Sequence, residues 1–194
     1  MSALFIIVGV MGAIFFGIQF LAMIQQRSIK KYPYRALKKY KSFEIRAYAP
    51  AIFTSVELSS NSYNTASSNG FRILAGYIFG NNERRQKIAM TSSVAMNLGE
   101  KTNMSFMVPN HLKMQELPRP NHGRIEFKEE PSKTVAAIKF GGWANDEKLK
   151  FYKKKLEEAL EEEGISHNSK FQYLGYNAPY EMFFRKNEVI VELL

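Results

Sequence analysis

The chain has 194 residues, 45% of them hydrophobic and 13% aromatic, which is enough apolar material to bury a core and too much for a disordered chain. It contains no cysteine, so disulfides, zinc ribbons, iron–sulfur clusters and thiol catalysis are excluded. The net charge of +9 is concentrated rather than spread over a nucleic-acid-binding face: residues 1–41 carry seven basic side chains and no acidic one, and the remainder carries 20 basic and 18 acidic.

Residues 3–24, ALFIIVGVMGAIFFGIQFLAMI, hold one polar side chain, Gln19. About 20 helical residues cross the hydrocarbon layer of a bilayer, so residues 1–24 read as a transmembrane anchor. No Lys or Arg precedes the apolar run and no small-x-small site follows it, which argues against a cleaved signal peptide. Residues 25–41 then read as a basic juxtamembrane linker. The single apolar run predicts a single-pass membrane protein, and the positive-inside rule predicts that its domain lies in the cytoplasm.

The domain spans 42–194. Phe43, Ile45 and Ala47 alternate with Glu44, Arg46 and Tyr48, the pattern of a half-buried strand; Pro50 breaks it and AIFTSVEL (51–58) resumes. Tyr63, Ala66, Gly70, Phe71, Leu74, Tyr77 and Ile78 recur at spacings of three and four, giving a helix over 62–79 that Gly80 ends. KIAMTSSVAMNL (87–98) and MSFMVP (104–109) read as strands, 111–123 as a loop, and RIEFKEE (124–130) and TVAAIKF (134–140) as strands again. Asn145 caps a second helix, with Asp146 and Glu147 in its first turn, an inward stripe of Leu149, Tyr152, Leu156, Ala159 and Leu160, and Gly164 as its stop. KFQYLGY (170–176) and EVIVELL (188–194) are the last strands.

The order strand–helix–strand–strand occurs twice, from AIFTSVEL and from TVAAIKF. A duplicated βαββ unit predicts an α+β domain whose eight or so strands form one curved, barrel-like antiparallel sheet flanked by two helices. A groove between the halves is a common ligand location.

Four segments in unbroken order resemble the SOUL/heme-binding protein family: YKSFEIRAYAPAIF (40–53), NGFRILAGYIFGNN (69–82), RQKIAMTSSVAM (85–96), and GYNAPY (175–180) with FFRKNEVIVEL (183–193). The resemblance covers about 40–194. It implies a fold similar to bacterial effector-binding domains and non-catalytic binding of heme or another tetrapyrrole in an apolar cleft. Some relatives carry a histidine, proposed as an iron ligand, where this chain has Ala47; the family's proline in the K-I-A-M-T motif is Ser93 here.

Heme needs an apolar slot, cations for two propionates and, optionally, an axial ligand. Candidates for the slot are Phe71, Leu74, Ile78, Phe79, Met90, Met96, Met182 and Phe183; for the propionates Arg84, Arg85, Lys87 and Arg185, with Arg72 and Lys186 as further cations; for iron His111, since His122 and His167 also lie in loops. No nucleophile-elbow, Walker, zincin or dinucleotide motif is present, so the reading is a binding protein rather than an enzyme. Glu188 is expected to be structural, pairing near Arg185 or with a strand backbone. The alternative to tetrapyrrole binding is another hydrophobic small molecule or a protein partner, bound by a membrane-tethered sensor or scaffold.

Overall fold

In a computed structural model, the described residues are 2–28, 31–60, 62–99, 102–178 and 181–194. Helix α1 runs Ser2–Ser28. Its apolar side chains Phe5, Ile6, Ile7, Val8, Val10, Met11, Ile14 and Ile18 are exposed. The helix meets the domain where Phe15 lies edge-on to Phe183, 6.4 Å between ring centres, and where the Met182 N–H donates to Gln19 Oε1 at 3.1 Å. Among the described residues no helix is long and apolar enough to cross a membrane. The described side chains of α1 end at Gln19, so the expected span over 3–24 lies partly outside them.

Among the described residues nine strands, one more than expected, form a single curled antiparallel sheet: β1 (Tyr34–Lys39), β2 (Glu44–Tyr48), β3 (Ala51–Glu57), β4 (Val94–Asn97), β5 (Asn103–Met107), β6 (Ile125–Glu130), β7 (Lys133–Gly141), β8 (Gln172–Gly175) and β9 (Lys186–Glu192). Their order is β1-β2-β7-β9-β8-β4-β5-β3-β6. The added strand is β1, YRALKK, within what the sequence reads as linker. Its residues are all exposed, so no inward alternation marks it, and it forms by pairing with β2. The expected strand over 87–98 is regular only from Val94; Ser93 at φ +108° bars extended pairing before it.

The duplicated unit is as read. β3-α2-β4-β5 and β7-α3-β8-β9 repeat the same order, with α2 at Tyr63–Ile78 and α3 at Asp146–Glu162. β4 pairs with β8 at the middle of the sheet, and β5-β3-β6 on one side mirrors β9-β7-β2 on the other. Both helices cover one face. Leu74, Tyr77, Ile78, Leu149, Leu156 and Leu160 meet Val56, Met104, Phe106, Ala136, Ile138 and Val189 there, and each fully buried leucine contributes about 2 kcal/mol. Gly70 lets α2 lie close: a Cβ would stand 2.9 Å from Leu58 Cδ2.

The helix starts are cross-linked. Asn145 caps α3 by accepting the Lys148 N–H at 2.8 Å. Asp146, expected to serve its own helix, instead accepts the Tyr63 N–H at 2.6 Å and the Ser62 hydroxyl at 2.7 Å, so it caps α2. Burial opposes ionisation of this carboxyl, but the hydrogen bonds from Ser62, Tyr63 and Asn64 win and hold it below its ordinary range. The helix-free face holds a second cluster of Tyr32, Tyr48, Phe53, Ala95, Met107, Val135, Ala137, Leu174 and Ile190.

Candidate functional site

A cleft of about 570 Å³ opens where α2 runs out: Phe79, Lys87–Val94 and Gly175–Ala178 line it. Three of the sequence segments singled out above converge here: the end of the first helix, the K-I-A-M-T stretch and the GYNAPY turn. The volume lies within the range of small-molecule sites, and the lining is mostly apolar with a few placed polar groups.

The chain is built to present this lining. Gly80, at φ +113°, turns it out of α2. The buried Asn82 then fixes the next turn: its amide donates to Tyr77 O at 3.1 Å and Gln86 O at 2.8 Å, and its Oδ1 accepts the Gln86 N–H at 3.0 Å. The Ile88 N–H returns to Ile78 O at 2.8 Å, and the Thr91 hydroxyl donates to Met107 O at 2.6 Å. Between these pins, Lys87, Ala89 and Met90 face the cleft without strand pairing. Ser93 is buried, and its hydroxyl has no partner among the described residues. An L-residue at positive φ beside an orphaned hydroxyl is the kind of strain that gathers at functional positions.

The opposite wall rests on a buried charge. Arg46, fully buried, makes a bidentate pair with Glu188, Nη1 to Oε2 at 2.8 Å and Nη2 to Oε1 at 3.0 Å, and bonds Glu44 at 2.9 Å. Its guanidinium also lies 4.2 Å over the Tyr34 ring. Tyr176 of the cleft donates its hydroxyl to Glu188 Oε2 at 2.6 Å. Burial lowers the tendency of Arg46 to stay charged, but Glu188 outweighs it and holds the guanidinium above its ordinary value. Burial, reinforced by the Glu188 charge, pushes the Tyr48 phenol up to about 12 and the Tyr176 phenol well up also. Glu188 therefore pairs with Arg46 rather than Arg185, a partner 142 residues away in sequence.

Of the apolar candidates, Phe79, 61% exposed, and Met90 line the cleft. Leu74 and Ile78 are core because their stripe of α2 faces the sheet, Met96 is core as an inward residue of β4, and Phe71 packs edge-on against Phe106. Met182 and Phe183 are exposed beside α1. Among the cations, Lys87 lines the cleft. Arg84 donates to Glu116 O at 3.2 Å, and Arg85 is exposed at φ +51°. Arg185 lies 4.0 Å over the Trp143 ring and donates to Ala178 O at 3.1 Å, which holds the end of the cleft wall in place. His111 is exposed in the turn after β5, and Asn110 and Leu112 beside it line a separate hollow of about 680 Å³ walled by Pro50, Pro109, Lys113, Glu129 and Pro131. His122 and His167 accept backbone N–H groups from Arg124 and Ser169. Sequence reasoning missed Tyr176 and Asn82, although both stand in the quoted segments.

The cleft residues fit the organic part of a tetrapyrrole: Phe79, Ile88, Met90 and Val94 supply apolar surface and Lys87 a cation. Among the described residues no histidine lines the cleft, and none form a cluster of three His, Cys, Asp or Glu able to bind a metal. Met90 is the thioether within the lining.

A family model for the SOUL heme-binding proteins matches residues 29–192. Mouse heme-binding protein 2 is 32% identical over 157 residues, 76% of each chain, and heme-binding protein 1 of Xenopus laevis is 27% identical over 156 residues, 76% of this chain and 82% of that one. Among solved structures, the C-terminal domain of EcmrR aligns over 83% of this chain and 98% of its own with a TM-score of 0.57 at 11% identity, and a hydrolase from Listeria innocua over 89% and 97% with a TM-score of 0.54 at 9% identity. These last two likenesses show the fold.

Proposed function

The chain belongs to the SOUL heme-binding protein family, and on that footing we propose that it binds heme or a related tetrapyrrole in the cleft of Phe79, Lys87–Val94 and Gly175–Ala178, as a binding protein rather than a catalyst. The observation that carries this reading is the convergence of three family segments on one apolar cleft with Lys87 among its lining. Phe79 and Met90 would pack against the macrocycle, Lys87 would pair a propionate, and Tyr176, fixed through Glu188 and Arg46, would hold the far wall. Ala47, and a cleft whose described residues include no histidine, favour binding through the organic ring rather than the iron. Titration of the full chain with hemin and with protoporphyrin, read by the Soret band and by quenching of Trp143, tests this. Saturable binding of both ligands at micromolar concentration is expected, whereas no saturation by either would overturn the proposal.

The second part of the proposal is that α1 tethers the chain to a membrane, with the domain in the cytoplasm. Support comes from a 27-residue helix, from the exposure of its described apolar side chains, and from the seven basic residues that follow the apolar run before any acidic one. The described side chains alone do not make a crossing, so this reading takes the helix with its whole sequence. Protease added outside spheroplasts is expected to leave the domain intact; digestion would place it on the other side.

A further inference from the structure

Residues 31–33 cross the helix-free face of the sheet as a strap. Lys31 makes a parallel bridge to Ser92, and Pro33 O accepts the Ala49 N–H at 3.1 Å. Between them Tyr32, 4% exposed, sinks its ring onto the sheet, 4.4 Å from the Tyr48 ring centre and 5.3 Å edge-on from that of Phe53. Among the described residues its hydroxyl has no hydrogen-bond partner. A buried tyrosine ordinarily finds a partner for that group, because leaving it bare forfeits its hydration with nothing in return.

Beside the ring lies a hollow of about 40 Å³ that shares no lining residue with the cleft above. Tyr32, Ser55, Asn97, Asn103, Ser105 and Gln172 line it, with Lys128, Glu130 and Lys133 also in its wall. Asn103 Oδ1 is a second buried atom there without a partner among the described residues. Ser55 and Ser105 bond each other at 3.0 Å, and Gln172 bonds Asn97 at 3.0 Å, so an amide- and hydroxyl-rich wall is already aligned. Phe53 and the small residues Ser55, Ala95 and Ser105 also line the hollow, so the space a flat guest would take is the one the Tyr32 ring now fills. A strap side chain with an idle polar end, next to a polar hollow with an idle acceptor, is what a stand-in for a ligand looks like.

We propose that the helix-free face is a second binding site, for a small planar aromatic carrying a hydroxyl or amide on its edge, and that Tyr32 fills it in cis until such a molecule takes its place. The guest would put its ring where the Tyr32 ring lies and its polar edge on Asn103, Asn97 and Gln172. Exchange would lift the strap, whose first residue follows the last of α1 by three positions and is bridged to Ser92 of the tetrapyrrole cleft, so occupancy here would alter both the tether and the first site.

The test uses the full chain in two arms. In the unaltered chain, 4-hydroxybenzamide is titrated while trypsin cleavage after Lys31 is followed by mass spectrometry. A saturable rise of about fivefold or more is expected, with toluene at equal concentration giving none, and the Ser55→Leu variant losing the response. In Tyr32→Gly, the melting temperature is expected to fall and to be restored saturably by p-cresol, with toluene restoring less. Cleavage after Lys31 that ignores 4-hydroxybenzamide overturns the proposal and leaves the hollow as a water site or a packing pocket for Tyr32 alone; so does toluene matching p-cresol. Should Tyr32→Gly fail to fold, the first arm decides.

Discussion

The two βαββ halves share strand order and pairing and part company where each helix returns to the sheet. In the second half, nine residues join α3 to β8: Gly164 stops the helix, the Ile165 N–H bonds back to Leu160 O at 2.9 Å, and Phe171 is buried at the start of β8. In the first half, 15 residues join α2 to β4. The longer passage holds Asn82, Lys87, Met90 and the strained Ser93, and it walls the cleft. The repeated scaffold supplies stability, and the departure from the repeat supplies the site.

That division can be tested. The largest expected effect belongs to the scaffold: Arg46→Ala strands Glu188 as a buried unpaired charge and should cost about 3–5 kcal/mol in urea unfolding. A cost under 1 kcal/mol would show that the pair is not what holds β2 and β9 together across β7. Next comes the site: Phe79→Ser should weaken hemin about tenfold, roughly 1.4 kcal/mol, and leave the unfolding midpoint unchanged because the ring is mostly exposed. Equal loss of stability would place Phe79 in the scaffold after all.

A smaller effect probes the joint between halves. Asp146→Asn should cost about 1 kcal/mol by weakening the cap on α2. The native carboxyl titrates below its ordinary value, so the charged cap's contribution is complete above about pH 4 and fades as pH falls through the native value; thermal melts of the parent and the variant should converge toward pH 2. Melts that stay equally far apart at pH 2 and pH 7 would remove the charge from the account. Smallest is Ser93→Gly, which frees a φ of +108° and should raise stability by about 0.5–1 kcal/mol while loosening the cleft. A destabilised variant would show that the Ser93 side chain is needed in place.

The repeat was legible in the sequence because period-two and period-3.6 patterns are local. Asn145 and Gly164 did what their positions promised. Strand β1 was not legible: YRALKK is exposed along its length, and its pairing with β2 leaves no mark on its own residues. The cleft was legible in part. Phe79, Lys87 and Met90 were named, but a helical stripe does not say which of its members face core, so Leu74 and Ile78 were placed with them. Arg46 and Glu188 each stood in a quoted segment, yet a pairing across 142 residues follows only from the sheet order β2-β7-β9.

The central claim is the location of the tetrapyrrole, and backbone amide shifts of the labelled full chain during protoporphyrin titration test it most directly. The account predicts saturable shifts at Phe79, Lys87–Val94 and Gly175–Ala178, with Asn110 and Leu112–Gln115 of the larger hollow unmoved. Shifts confined to that hollow, or to the helix-free face around Phe53 and Asn103, would contradict it.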